Sequence, residues 1–148
     1  MLSQIGFGTR NEFRGPLIAT QTTTDPAANN EFTITVPIGE AWLVESVSVQ
    51  LVQGLTQTPW PYLTVTDSAG TLLLKQQCGT VAMNASVTAQ CTWAQNGTVL
   101  GGATDTQRFG NLPSPLFCGP GFVIASSTTG KGANTDYGAA SLLVVRYS

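Results

Sequence analysis

Apolar and polar residues alternate in short segments along most of the chain. The longest segment runs from Ala41 to Gln53 and keeps its large apolar residues mostly on one face, apart from a change of parity around Glu45 and Ser46. A period of two predicts β-strands, and such a parity change is typical of a β-bulge, where one extra residue enters a strand. No window of about 11 residues sustains apolar positions at helical spacing, so no helix is predicted.

The alternating segments predict about seven or eight strands at intervals of roughly 8–12 residues, the spacing of a β-sandwich or barrel. Two of them flank Asp67-Ser68-Ala69-Gly70, a sequence typical of a tight turn, and therefore predict a hairpin. The predicted strands are Glu31–Val36, Ala41–Gln53, Tyr62–Thr66, Thr71–Gln76, Ala85–Trp93, Phe122–Thr128 and Ser141–Tyr147.

Two Gly-rich segments interrupt the alternation. Ala94–Asn111 is predicted to be one long loop, and Thr129–Ala140 a second. Loops of this length usually carry function or move. Arg108 and Phe109, which lie in the first segment, are therefore candidates for contacts with a partner.

The pattern predicts an all-β fold. Without helices to cover a parallel sheet, the strands must be largely antiparallel, and an antiparallel β-sandwich of jelly-roll type is the natural arrangement. The chain length suits one domain. We predict that residues 31–148 form this sandwich and that residues 1–30 form an extended N-terminal arm, with Leu17–Thr23 as a short strand within it.

The predicted arm contains several large apolar residues and two arginines among glycines. These candidate contact residues are Ile5, Phe7, Arg10, Phe13 and Arg14. An arm with apolar anchors can become ordered against a neighbouring subunit. The alternative is a poorly ordered terminus, which is common in proteins.

Charge is unusually sparse. Only 9% of the residues are charged and 42% are hydrophobic, whereas globular proteins average about 25% charged residues. Thr fits a pleated sheet better than Lys or Glu does, and a charge-poor surface also suits burial against neighbouring subunits. The net charge of −2 and the scattered basic residues argue against nucleic-acid and membrane surfaces. The start of the chain does not resemble a signal peptide, so synthesis in a host cytoplasm is expected.

The sequence contains no arrangement typical of an enzyme or a metal site. Histidine is absent, and the three cysteines lack CxxC spacing, so Ser-His-Asp, Cys-His and zinc sites are not expected. A carboxylate pair such as Asp105 and Asp136, one in each Gly-rich segment, is the remaining catalytic alternative. We therefore predict a protein that is not an enzyme and has no cofactor.

Two smaller features have alternative interpretations. If Thr71–Gln77 and Ala85–Trp93 form a hairpin, Cys78 and Cys91 face each other, and a disulfide is conceivable, although thiols stay reduced in a cytosol. Trp60 and Tyr62, at the entrance of a predicted strand, are either core or edge residues or a platform for binding sugars.

Several segments resemble small virion proteins of tailed bacteriophages. The resemblance covers about residues 31–147 and consists of turn and strand signatures. The matching segments are Val36–Val49 (VPIGEAWLVESVSV), Leu63–Leu72 (LTVTDSAGTL), Leu112–Ile124 (LPSPLFCGPGFVI) and Leu142–Arg146 (LLVVR). Cys118 replaces the apolar residue more usual at its position, and the first 30 residues are not covered.

The resemblance implies a structural virion protein, in particular a head decoration, or cement, protein on the capsid surface. Such proteins bind the outside of the shell and clamp neighbouring major capsid subunits, and self-association, for example as a trimer, suits the charge-poor surface. The alternatives are a tail or head–tail connector protein, or a module that binds a receptor or carbohydrate. The matching residues are structural, so the resemblance implies no catalytic residue.

Overall fold

A computed structural model describes residues 16–54 and 58–148. Within these ranges the chain forms eleven strands and no helix. The strands are β1 (Leu17–Thr22), β2 (Thr33–Thr35), β3 (Ala41–Val52), β4 (Trp60–Thr66), β5 (Leu72–Gln77), β6 (Thr88–Gln95), β7 (Gln107–Leu112), β8 (Phe117–Cys118), β9 (Val123–Thr129), β10 (Asp136–Tyr137) and β11 (Ser141–Tyr147).

The strands form two sheets that pack face to face. The larger sheet has the order β1-β11-β3-β6-β7, with β8 and β10 also paired to β3, and the smaller has the order β2-β9-β4-β5. Four antiparallel pairs, β1 with β11, β2 with β9, β3 with β6 and β4 with β5, are nested inside one another. Because successive pairs alternate between the sheets, the chain is a long hairpin rolled into a jelly roll. The predicted fold class is confirmed.

The core lies between the sheets and is filled by the inward-facing residues of both. Its largest apolar side chains are fully buried: Phe32, Trp42, Leu51, Leu63, Met83, Trp93, Leu112, Ile124, Tyr137 and Leu142. Burying a side chain of this size stabilises a fold by about 1.5–3 kcal/mol. The core therefore needs neither a metal nor a disulfide.

The parity change in the longest strand is a β-bulge, as predicted. Ser46 pairs with Leu143, whereas Val44 pairs with the next residue of β11, Val144. Glu45 is therefore the extra residue on β3. The bulge restores the alternation, so that Val44 and Val47 both point into the core.

The predicted hairpin around residues 67–70 is also confirmed. Asp67 Oδ1 accepts hydrogen bonds from the backbone N–H groups of Ala69 (2.9 Å) and Thr71 (2.8 Å). Gly70 adopts a φ of 86°, which glycine tolerates best. The turn joins β4 to β5, and its hydrogen bonds lower the pKa of Asp67.

The prediction of a single loop over residues 94–111 is wrong. Gln107–Leu112 forms β7, which pairs with β6 in parallel from Gln90↔Gln107 to Gln95↔Leu112. The inward-facing residues of β7 are Arg108, Gly110 and Leu112. An arginine and a glycine on the inward face leave no apolar alternation, which is why the strand was missed.

The sandwich also includes residues that were assigned to the arm. Strand β1 pairs with β11 along its whole length, from Leu17↔Arg146 to Thr22↔Ser141. The short strand anticipated there is therefore an edge strand of the larger sheet. Residues 1–15, the rest of the predicted arm, lie outside the described ranges.

An ion pair and a hydrogen bond connect Glu40, in the turn before β3, with Arg146 of the last strand and Trp42 of β3. Glu40 accepts a hydrogen bond from Trp42 Nε1 (2.7 Å), and its carboxylate forms an ion pair with the guanidinium of Arg146. The hydrogen bond from Arg146 is the largest cause of the lowered pKa of Glu40, and the one from Trp42 acts in the same direction.

We expect these interactions of Glu40 to make the stability of the protein depend on pH. Because the pKa of Glu40 is lower in the folded than in the unfolded chain, its contribution is complete above the usual value of 4.5 and is lost as the pH falls below it. Urea unfolding between pH 7 and pH 3 should show a smaller acid loss of stability for Glu40→Gln than for the wild type. Parallel pH curves would contradict this expectation.

Candidate protein-docking surface

The outer face of the larger sheet carries a row of apolar residues across four strands. The strand register aligns Ile18 of β1 with Val145 of β11, Val145 with Leu43 of β3, and Leu43 with Phe117 of β8. Residues paired across strands point to the same side of a sheet. Four strands about 4.8 Å apart make this row roughly 14 Å long.

Neighbouring residues of β11 widen the row into a patch. Leu143 and Tyr147 lie two positions from Val145 and therefore share its face, and the rings of Tyr147 and Phe117 are 6.3 Å apart. We call the six residues Ile18, Leu43, Phe117, Leu143, Val145 and Tyr147 the apolar face.

The apolar face is open to solvent. Ile18 is 70% exposed, Phe117 58%, Leu143 40% and Tyr147 39%, and none of the six residues is charged. Single exposed apolar residues are ordinary, but a contiguous group is typical of a surface that contacts another molecule. The apolar face is therefore the strongest candidate docking surface among the described residues.

Farther along this outer face, polar side chains of β3 and β6 are hydrogen-bonded to one another. Ser48 Oγ and Thr92 Oγ1 are hydrogen-bonded at 2.9 Å, and Gln90 Nε2 donates to Ser48 Oγ at 2.8 Å. Phe109 of β7, paired with Thr92, is exposed on the far side of these polar residues, whereas the six residues of the apolar face lie at the end of the sheet near Pro16. Two further exposed apolar residues, Leu17 (60%) and Ile38 (87%), lie at the same end.

Strand β1 adds a strand edge to this end of the molecule. Among residues 16–54 and 58–148 it pairs with β11 on one side only and is the outermost strand of the larger sheet. Its sequence, LIATQT, contains no charged residue and no proline. Proteins usually protect an edge strand with such residues or cover it with a helix or loop, and an unprotected edge is a template for pairing with another chain.

Arg108, predicted as a contact residue on a loop, is instead buried. Its side chain is 0% exposed, and its guanidinium donates hydrogen bonds to the backbone carbonyls of Cys78 (3.2 Å), Val81 and Gly102. Gly79 packs against the guanidinium, where an added Cβ would clash. Arg108 therefore holds two loops onto β7. Phe109, its neighbour, is 39% exposed.

Trp60 and Tyr62 lie on the outer face of the smaller sheet, away from the apolar face. Their rings are stacked at 6.3 Å and 30°, and Lys75 Nζ lies 4.4 Å from the centroid of the Tyr62 ring. The indole N–H of Trp60 is buried and has no hydrogen-bond partner. Both residues are half-buried.

The three cysteines are free thiols in the core. The hairpin between residues 71–77 and 85–93, on which the conceivable disulfide depended, does not form, because β5 and β6 belong to different sheets. The neighbouring Cys78 thiol raises the pKa of Cys91, and burial acts in the same direction. Burial raises the pKa of Cys118 to about 11.

We expect these thiols to be unreactive while the protein is folded, because the thiolate is the reactive form and burial blocks access. Intact-protein mass spectrometry after iodoacetamide treatment without reductant should show no labels on the folded protein and three on the unfolded protein. Fewer labels on the unfolded protein would reveal a disulfide, and labelling of the folded protein would contradict the burial.

The candidate contact residues Ile5, Phe7, Arg10, Phe13 and Arg14 lie outside the described ranges. Within those ranges, no cluster of three or more metal-binding side chains occurs. Residues 16–54 and 58–148 also contain no helix long and apolar enough to span a membrane.

Comparisons with known proteins are sparse. No protein-family model matches the chain, and no curated protein matches it. One similar solved structure is described as "Structure of infectious bursal disease virus Gt strain", with 16% identity and a TM-score of 0.23 over 87% of this chain. The alignment covers 32% of that chain, so the present chain spans about a third of its length. A TM-score this low identifies no shared function.

Proposed function

We propose that this protein is a structural component of a tailed-phage virion, and specifically a head decoration protein. In this role it binds the outside of the capsid and clamps neighbouring major capsid subunits. The observation that carries the proposal is the apolar face, an uncharged and exposed patch on a rigid sheet. The sequence signatures shared with small phage virion proteins support the same role.

The apolar face favours function through contact. Phe117 and Tyr147 are large aromatic residues whose rings lie together at one side of the patch, and aromatic residues often dominate the energy of protein interfaces. The patch is held in place by strand pairing, because Leu43 and Val145 sit in long paired strands and Phe117 pairs with Leu43. A rigid surface loses little conformational entropy on binding.

Cementing follows from mass action. A protein that binds only the assembled shell lowers the free energy of that state and leaves the free subunits unchanged. Many weak contacts repeated over a lattice then give a large total stabilisation. Low surface charge suits this task, because charged groups would have to lose water at each new contact.

The proposal is tested with capsids that lack this protein. Purified protein should co-sediment with such heads and raise the temperature at which they release DNA. Immunogold labelling of intact virions should mark the head. Label confined to the tail or connector would favour the alternative positions, and heads whose heat resistance does not change on adding the protein would contradict the cement role.

A further inference from the structure

We propose that the apolar face is occupied by residues 1–15 of a second copy of this chain, so that the protein self-associates by exchange of N-terminal segments. This inference deepens the proposed function, because it takes the apolar face to be a protein contact and names its occupant. The partner is a segment whose chemistry is visible in the sequence: it contains Ile5, Phe7 and Phe13 among small and polar residues.

The position of the segment supports this assignment. Residue 15 joins Pro16, which leads directly into β1, and Ile18 of β1 is already part of the apolar face. Every copy that exposes the apolar face therefore carries the segment at its border. Fifteen residues reach about 50 Å when extended, farther than the diameter of a domain of this size, about 40 Å.

The position at which the segment joins the sandwich favours a neighbouring copy. Strand β1 begins at Leu17, beside Arg146 near the end of β11, so residues 1–15 join at the end of the larger sheet and at the border of the apolar face. A second copy packed against this end brings its own apolar face within the reach of the segment.

Charge is complementary between the segment and the rest of the chain. Residues 1–15 contain Arg10, Glu12 and Arg14 and carry a net charge of +1, whereas the remaining residues carry −3. Glu45, the bulge residue of β3, lies next to the part of the strand that pairs with Leu143. Arg10 or Arg14 of a segment bound to the apolar face can therefore form an ion pair with Glu45.

The experiment uses two full-length variants with different affinity tags, Phe7→Cys and Leu143→Cys, expressed together. Because the native thiols are buried, a short bis-maleimide should join only the introduced cysteines, and the expected product is a covalent heterodimer. A matched control pairs Phe7→Cys with Leu73→Cys, which is 54% exposed on the smaller sheet, and should give no heterodimer. A chain carrying both Phe7→Cys and Leu143→Cys tests for contact within one copy.

Sedimentation gives an independent measurement. Replacing Ile5 and Phe7 by serine, or Phe117 and Leu143 by serine, should weaken self-association at least about 100-fold in either case, since each change removes two large apolar side chains from the contact. The variants within residues 1–15 change no residue of the described sandwich, so they test the inference even where the Phe117 and Leu143 variants fail to fold.

The outcomes separate this inference from the proposed function. A wild-type protein that is monomeric at all concentrations, cross-linking only within one chain, or cross-linking in neither pair would each overturn the exchange of segments. If such a protein still bound and stabilised capsids, the cement role would be supported and the exchange of segments would be excluded. If segments were exchanged but the protein did not stabilise capsids, the exchange would be supported and the cement role would be excluded.

Discussion

Replacing Gly110 by alanine is expected to lower the free energy of unfolding by about 3 kcal/mol, the upper part of the range for overpacked cores. Gly110 is buried in β7, where an added Cβ would lie 2.5 Å from the carbonyl oxygen of Gln77 and would also overlap the Trp93 indole. Neither a backbone oxygen nor a buried indole can move away cheaply. The melting temperature should fall by roughly 6–12 °C.

Gly138 provides the matched control. An added Cβ there would meet Gln50 at 3.9 Å, an ordinary contact distance. Gly138→Ala should therefore change the stability by less than about 1 kcal/mol, in either direction, because alanine also restricts the unfolded chain. Equal melting temperatures for Gly110→Ala and Gly138→Ala would show that β7 is not packed against β6 as described.

Replacing Arg108 by methionine is expected to cost about 3 kcal/mol. Methionine fills much of the same space but leaves the carbonyls of Cys78 and Val81 without this donor, while the carbonyl of Gly102 keeps only the Asp105 N–H at 3.3 Å. Each buried acceptor left unsatisfied costs about 1–3 kcal/mol. Removing an interior charge recovers part of this loss, which is why the lower half of the summed range is expected. Urea denaturation followed by tryptophan fluorescence measures the change.

Lys75→Met is the control for loss of a positive charge. Lys75 is exposed and contacts only the Tyr62 ring among the interactions described for it, and such exposed cation–π contacts contribute about 0.5–1 kcal/mol. A variant Arg108→Met as stable as Lys75→Met would mean that the buried guanidinium does not hold the loops.

Much of the fold is predictable from sequence because the jelly roll obeys local rules over most of its length. The bulge at Glu45 is visible as a parity change, since each core position of β3 must be apolar. The turn at Asp67 is visible because its conformation demands an acceptor side chain at the first position and glycine at the last. At both places, a single local requirement of the backbone or the core determines the residue type, so the sequence shows it.

Strand β7 was missed because its interior positions are filled by exceptions. Arg108 is buried, although arginine is almost never fully buried unless paired, and its partners here are backbone carbonyls that no sequence pattern displays. Gly110 is small because Trp93, on a different strand, occupies the space. The residue type at each of these two positions is set by contacts with residues that are distant in the sequence.

The apolar face was missed for a related reason. The alternating pattern assigns one face of a strand to the core and the other face to the solvent. An apolar residue on the outer face therefore looks like an isolated exception when one strand is considered alone. Ile18, Val145 and Phe117 become a group only when the register of β1, β11 and β8 is known. The segment Leu142–Val145, apolar at four successive positions, was the local signal that both faces of β11 are used.

The pairing of β1 with β11 has a consequence for how the protein is made. Leu17 has no strand partner until Arg146 has been synthesised, so the larger sheet closes only when translation of the domain is nearly finished. Closing contacts between distant parts of a chain is slow. Unfinished chains therefore lack the paired edge of the larger sheet, and with it the part of the apolar face that Ile18 and Val145 form together.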